Sequence, residues 1–205
     1  LPLRSTAESI INGLFNLRMR LLRHRLYQPF IDNSKNTQDT QLTTLRRILT
    51  NNAGTEFGRQ HHFDSIKSHE DYVKNVPVHE YEDLRPFIEK QDATRASVLT
   101  TKPVVMYNQT SGTTGRPKYI PVLQETLDSL KDTQNLFTFL QYQYCPEAYA
   151  GRILGMASPD TEDHLESGTP VGSASGLVYK SMPRLAQRKF VVPNRSEEHT
   201  SELQS

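Results

Sequence analysis

The chain has a single cysteine, Cys145, and no tryptophan. One thiol excludes a disulfide framework and any multi-cysteine zinc site, and it fits a reducing cytosol. An excess of one charge is also missing. Lys plus Arg number 24 and Asp plus Glu 23, for a formal net charge of +1. That balance gives no case for a nucleic-acid partner or for an anionic membrane surface. Long hydrophobic runs are absent, and no window approaches the ~18 apolar residues of a membrane span. The longest uncharged run, Thr133 to Pro146, is interrupted by Gln134, Asn135, Gln141 and Gln143. The apolar stretch near the start carries Arg18, Arg20, Arg23 and Arg25, which a secretory signal would not. The expected setting is therefore cytoplasmic. What is present is an ordinary folded composition, 35% apolar and 23% charged, in 205 residues. That length allows one domain, or a piece of something larger, with a sizeable core.

The two ends are read as foreign or incomplete. The chain begins at Leu1 rather than Met, so the true start is expected to be missing. Arg195 to Ser205 resembles, residue for residue, one reading-frame translation of a common sequencing adapter. Residues 195–205 are therefore expected to be a non-native tail. Residues 1–194 would then be the native portion of a protein that continued beyond Asn194.

Apolar periodicity predicts a helical first half. Ser5 and Glu8 have capping-box spacing, and Ala7, Ile10, Ile11, Leu14, Leu17 and Leu21 recur at helical intervals, giving an amphipathic helix over about 6–27. Its basic run from Arg18 to Arg25 reads as a solvated face. A second helix, about 39–51, carries Leu42, Leu45, Ile48 and Leu49 and stops near Gly54. Thr55 to Arg59 is expected to turn the chain. Ser68 with Asp71 starts a short helix that Pro77 ends, and a further piece, about 80–90, sets Tyr81, Leu84 and Ile88 on one face.

The character changes after Pro103. Val104 to Tyr107 and Tyr119 to Val122 read as strands, a helix over about 125–144 follows, and Arg152 to Ala157 reads as a buried strand. A polar loop is expected over 158–170. Between the first two strands lies Thr110-Ser111-Gly112-Thr113-Thr114-Gly115-Arg116-Pro117-Lys118. Two glycines three apart let successive N–H groups converge into a nest for anions. Thr110, Ser111, Thr113 and Thr114 add hydroxyls, and Lys118 brings a full positive charge to the exit. The stretch is not Walker A, because Pro117 stands where the second glycine is required and a strand follows rather than a helix. By composition alone, a hairpin loop without a ligand remains an equal alternative.

Ser111-Gly112-Thr113-Thr114-Gly115-x-Pro117-Lys118 resembles the phosphate-binding signature of the adenylate-forming superfamily. In acyl-CoA synthetases Lys118 would usually be followed by Gly-Val, whereas this chain reads Tyr119-Ile120-Pro121-Val122. Thr55-x-Phe57-Gly58-Arg59, Val76-Pro77 and Tyr81-Glu82-Asp83-Leu84 are instead similar to landmarks of the auxin-responsive acyl-acid amido synthetase family. Pro170-x-Gly172-Ser173-x-Ser175-Gly176-Leu177 and Tyr179-Lys180-Ser181-Met182-Pro183 resemble bacterial members.

This resemblance implies a mixed α/β fold, a helical N-terminal segment followed by strands and helices of a truncated large N-terminal adenylation domain. It implies ATP and Mg as cofactors, and a carboxylic acid plus an amine or amino acid as partners. It also implies that Thr110 and the Ser111–Gly115 segment hold the β- and γ-phosphates while Lys118 neutralises the departing charge. The parts that grip adenine and ribose would lie beyond Asn194, so the fragment is expected to be inactive alone. An acyl-CoA synthetase-type acid–thiol ligase and a non-catalytic helical interaction module are the alternatives.

Remaining candidates are weighed against plainer roles. Ser173, Ser175 and Gly176 could border an acyl pocket, or simply form a turn. Phe137, Phe139, Tyr142 and Tyr144 at helical spacing read as core. Asp160, Glu162, Asp163, His164 and Glu166 read as a solvated loop rather than a metal site. His61 and His62 read as surface or capping residues, and no metal ligand set is assigned.

Overall fold

Helix formers and strand formers separate along the chain as their patterns require. The computed structural model describes residues 2–110, 116–155, 158–180, 182 and 190–191. The remaining stretches, Ser111 to Gly115 and 195–205 among them, lie outside the described residues. Helix α1 (Pro2–Leu22) runs through a π turn (Arg23–Tyr27) into α2 (Gln28–Lys35). Then come α3 (Thr37–Asn52), α4 (Glu56–Gln60), α5 (His69–Asn75) and α6 (Tyr81–Thr94). Strand β1 (Met106–Thr110) and β2 (Lys118–Val122) precede α7 (Gln124–Tyr144). The short strands β3 (Ile153–Leu154), β4 (Asp163–His164) and β5 (Pro170–Gly172), helix α8 (Ala174–Lys180) and β6 (Phe190–Val191) complete the order.

The centre is a four-stranded sheet in the order β2-β1-β5-β4. β1 pairs antiparallel with β2 and parallel with β5, and β5 pairs antiparallel with β4. Successive β1 side chains point to opposite faces, so each face needs its own cover. Met106 packs with Val122, Leu127, Ala174 and Leu177, under α7 and α8. Tyr107 packs with Ile88, Val171, Leu84 and Tyr119, under α6. Met106 and Tyr107 are both 1% exposed, and this double burial makes the sheet the middle of three layers. The mixed α/β expectation holds.

Caps and close approaches set the helical half. Ser68 Oγ accepts from the Asp71 N–H at 3.2 Å while an Asp71 carboxylate oxygen accepts from the Ser68 N–H at 3.2 Å, which is the capping box read from the sequence. Thr55, fully buried, caps α4 by accepting from the Gly58 N–H at 2.9 Å and donating to the Asn52 carbonyl at 2.7 Å. The segment expected to be a plain turn is thus a capped helical turn. A side chain on Gly58 would run into the Asn52 carbonyl.

Four further expectations need correction. The α1 stripe of Ile10, Leu14, Leu17 and Leu21 is exposed. Its opposite side buries Met19 and Leu22 against Phe139 of α7. In α7 itself Phe139 is buried, whereas Phe137 is exposed. Periodicity identifies a stripe but not which neighbour covers it, and a helix with two apolar sides leaves that choice to packing. Of the buried strand expected over 152–157, the described residues form a strand at Ile153–Leu154, where Leu154 is 71% exposed; Met156 and Ala157 lie outside the described residues. The polar loop over 158–170 also contains β4, because Asp163 and His164 find partners in Val171 and Pro170.

His61 is buried at 7% exposure, not a surface residue. Its Nδ1 lies 2.9 Å from the Asn75 carbonyl, and its ring packs 4.3 Å from that of Phe57. His62 is exposed, with φ of 52°. Adjacent residues on a turn point apart, and one of the two ends inside.

Gly58→Ala should lower unfolding stability by about 1–3 kcal/mol, because the added methyl meets backbone that cannot yield. Gly54→Ala meets nothing within 4 Å and should stay within about 0.5 kcal/mol of the parent. Urea denaturation of the pair measures the contrast.

Candidate functional site

The β1–β2 hairpin carries the expected phosphate loop. Thr110 ends β1 and pairs in register with Lys118, which begins β2. Both are exposed. Ser111, Gly112, Thr113, Thr114 and Gly115 lie outside the described residues. What the structure defines is the frame: two strands pairing antiparallel over five residues each, then α7 from Gln124. A loop held this way has fixed ends, which is what a concave anion nest requires.

The parallel pairing of β1 with β5 adds a second fact. Asn108 lies opposite Gly172, so both strands end at the same edge of the sheet. The Ser111 loop leaves β1 there, and Ser173, Ser175 and Gly176 leave β5 beside it. Ligands of open α/β sheets bind at such carboxyl ends.

Ser173 Oγ sits 2.6 Å from Ser175 Oγ and accepts from the Ser175 N–H at 3.2 Å. Gly176 is buried, and its missing side chain makes room for the backbone of Ser158 and Asp160. Gly172 accommodates Asp160 and Thr161 in the same manner. The space left by these glycines is thus filled by the chain's own backbone. Lys180 closes the arrangement with a 2.7 Å ion pair to Asp160, whose carboxyl that bond holds below its ordinary range.

The exit of the loop meets α6. Tyr81 places its hydroxyl against the outer edge of β2, where it accepts from the Tyr119 N–H at 2.7 Å and donates to the Tyr119 carbonyl at 3.2 Å. Arg85, 8% exposed, donates to the Pro117 carbonyl at 3.1 Å. The same guanidinium makes a two-pronged contact with Glu82 at 2.7 and 2.9 Å. Arg85 also lies over the Tyr81 ring at 4.8 Å, and the Lys118 ammonium approaches that ring at 5.5 Å. The bond from Arg85 holds the Glu82 carboxyl below the ordinary range, with Lys118 and Arg116 adding to the effect. The Glu82 bond in turn holds Arg85 above its ordinary value.

Residue spacing puts Tyr81 on an apolar helix face and gives Arg85 no role. Their separation of four residues marks a shared face. Nothing in the spacing points to a strand more than thirty residues away. As donors, Arg116, Lys118 and the Thr110 hydroxyl fit a polyanion better than an apolar ligand.

Beneath β1, Tyr107 lines a cavity of about 260 Å³ whose wall also includes Asp92, Arg95 and Lys102. Burial, with the charge of Asp92 second, pushes the Tyr107 hydroxyl up to about 12. An unfolded tyrosine ionises near ~10, so the neutral form is favoured by folding. This contribution to stability is full below about pH 10 and is lost as pH rises through about 12. Tyr107→Phe should therefore flatten the alkaline limb of stability, as read by denaturation midpoints over that window. Lys180→Met should return the Asp160 carboxyl toward its ordinary value, measurable by carboxyl-carbon NMR titration. The depressed carboxyl contributes stability above about pH 3.9, the unfolded value, and loses it as pH falls.

Comparison with known proteins gives this frame its relatives. Residues 26–205 match the GH3 family N-terminal domain. The chain is 26% identical over 170 residues to an indole-3-acetic acid-amido synthetase GH3.5 of Arabidopsis thaliana, covering 82% of this chain and 28% of that protein. It is also 26% identical over 162 residues to a jasmonoyl–L-amino acid synthetase JAR6 of Nicotiana attenuata, covering 78% of this chain and 28% of the relative. Among solved structures, the AtGH3.15 acyl acid amido synthetase in complex with 2,4-DB superposes with a TM-score of 0.64. That match has 26% identity and covers 78% of this chain and 27% of the other. The chain therefore spans little more than a quarter of the length of the relatives it matches. By the extent of the match, this chain belongs to the GH3 family, whose N-terminal domain it carries.

Proposed function

We propose that this chain is the phosphate-gripping part of an ATP-dependent acyl-acid amido synthetase. The complete enzyme would adenylate a carboxylic acid and pass the acyl group to an amine or amino acid. The acid attacks the α-phosphorus of ATP, pyrophosphate leaves, and the amine then displaces AMP. The observation that carries the reading is the β1–β2 hairpin, which brings Thr110 and Lys118 together at the two ends of the glycine-rich segment.

In this reading the Ser111–Gly115 amides and hydroxyls hold the β- and γ-phosphates, and Lys118 offsets charge on the leaving pyrophosphate. Arg116, exposed one residue before Pro117, adds to the same positive rim. Magnesium bound to the triphosphate would offset part of its charge. Ser173 and Ser175, at the shared sheet edge, would border the acid beside it. Family relatives named for indole-3-acetic acid and jasmonoyl conjugation support a small carboxylic acid as substrate. The single, exposed Cys145 supports a cytoplasmic setting. Because this chain covers only part of its relatives' length, it is proposed to be inactive alone.

Carboxylate-dependent exchange of pyrophosphate into ATP by the full-length enzyme tests the reading. Lys118→Ala should lower exchange by about 10²-fold. Unchanged exchange in that variant would remove Lys118 from the chemistry, and product formation with coenzyme A but not with amino acids would make the enzyme an acid–thiol ligase.

A further inference from the structure

Helix α6 holds the loop's exit by three kinds of contact. The outer edge of β2 is a free sheet edge, whose backbone groups need partners. Tyr81 satisfies both groups of Tyr119 with one hydroxyl. Arg85 satisfies the carbonyl of Pro117, the residue immediately before Lys118. Glu82 fixes the guanidinium by two further bonds. The backbone on either side of Lys118 is therefore tied to a helix rather than left to the hairpin alone.

The side chain of Lys118 is held differently. Its ammonium lies near the face of the Tyr81 ring, 5.5 Å from the centroid. Among the described residues it makes no ion pair. A carboxylate would occupy its donors, whereas an aromatic face attracts the charge and leaves the N–H groups available to another acceptor. Arg85, on the same ring, is matched to Glu82. Among the described residues Lys118, like Arg116 beside it, is thus a cation at this corner without an ion pair.

From this geometry we infer that Tyr81 and Arg85 are positioning residues for adenylation, which aim the Lys118 ammonium and anchor the loop exit against the pull of bound triphosphate. The inference rests on the ligase reading above. It assigns to α6 a role in binding ATP without contact to the nucleotide.

The test uses the full-length enzyme, with pyrophosphate exchange read at varied ATP–magnesium and varied carboxylate. Tyr81→Phe keeps the ring and removes the edge bonds; Arg85→Lys keeps the charge and loses the fork. Each should raise KM for ATP by about five- to tenfold, a change equivalent to losing one or two ordinary hydrogen bonds. KM for the carboxylate should stay within about twofold, a shift below 0.5 kcal/mol. Combining Tyr81→Phe with Lys118→Ala should cost less than the product of the two single losses, since the two act through one group. Lys90→Ala, also on α6, which removes an exposed pair with Glu56 of α4, should leave both constants unchanged.

An unchanged KM for ATP in Tyr81→Phe and Arg85→Lys, with Lys118→Ala still impaired, overturns the positioning role and spares the ligase reading. Equal losses toward ATP and carboxylate, with a lowered Tm, reduce both residues to structural supports and overturn it too. No effect of Lys118→Ala removes Lys118 from the chemistry and overturns the positioning role, whereas absence of carboxylate-dependent exchange in the parent enzyme overturns the ligase reading itself.

Discussion

The pairing of β1 with β2 is the constraint on which the rest depends. Its register sets Thr110 opposite Lys118, and so fixes how far apart the two ends of the glycine-rich segment stand. Ladder bonds on one side and α6 on the other hold the described residues at its two ends. An anion nest works only if its amides already point inward before the ligand arrives, because ordering them on binding would cost affinity.

Burial on both faces of β1 makes this pairing rigid. Met106 is enclosed beneath α7 and α8, and Tyr107 beneath α6. A slip of one residue would exchange them and place each side chain in the wrong layer. The parallel partner β5 then brings Ser173 and Ser175 to the sheet edge at which β1 ends. Two stretches more than fifty residues apart thereby become neighbours. The close approach of Asp160 backbone to Gly172 and Gly176 keeps that corner tight, and the Lys180–Asp160 pair ties it down.

Electrostatics at the loop exit follow from an uneven match. Arg85, Arg116 and Lys118 gather near one carboxylate, Glu82, which Arg85 takes up in a two-pronged contact. Positive charge is left over where a polyphosphate would lie. A surplus maintained by local geometry is compatible with the chain's near-neutral total, which is why net charge alone said so little about its ligand.

Local chemistry was legible from the order of residues. The Ser68–Asp71 capping box, the helices near 39–51 and 125–144, and the strands on either side of the Ser/Thr/Gly stretch all follow from short-range rules, and all are present. Residue identity also gave Ser111 to Lys118 a resemblance to a phosphate-binding signature. Other features depended on neighbours distant in the chain. The exposed side of α1, the burial of His61 but not His62, the exposure of Leu154 and the grip of Tyr81 and Arg85 on β2 are of this kind. Periodicity within an element reports which residues share a face; it carries no information on what that face meets. Packing makes that choice, because only in the folded chain does a phenol on α6 find the open edge of a strand thirty-eight residues further on.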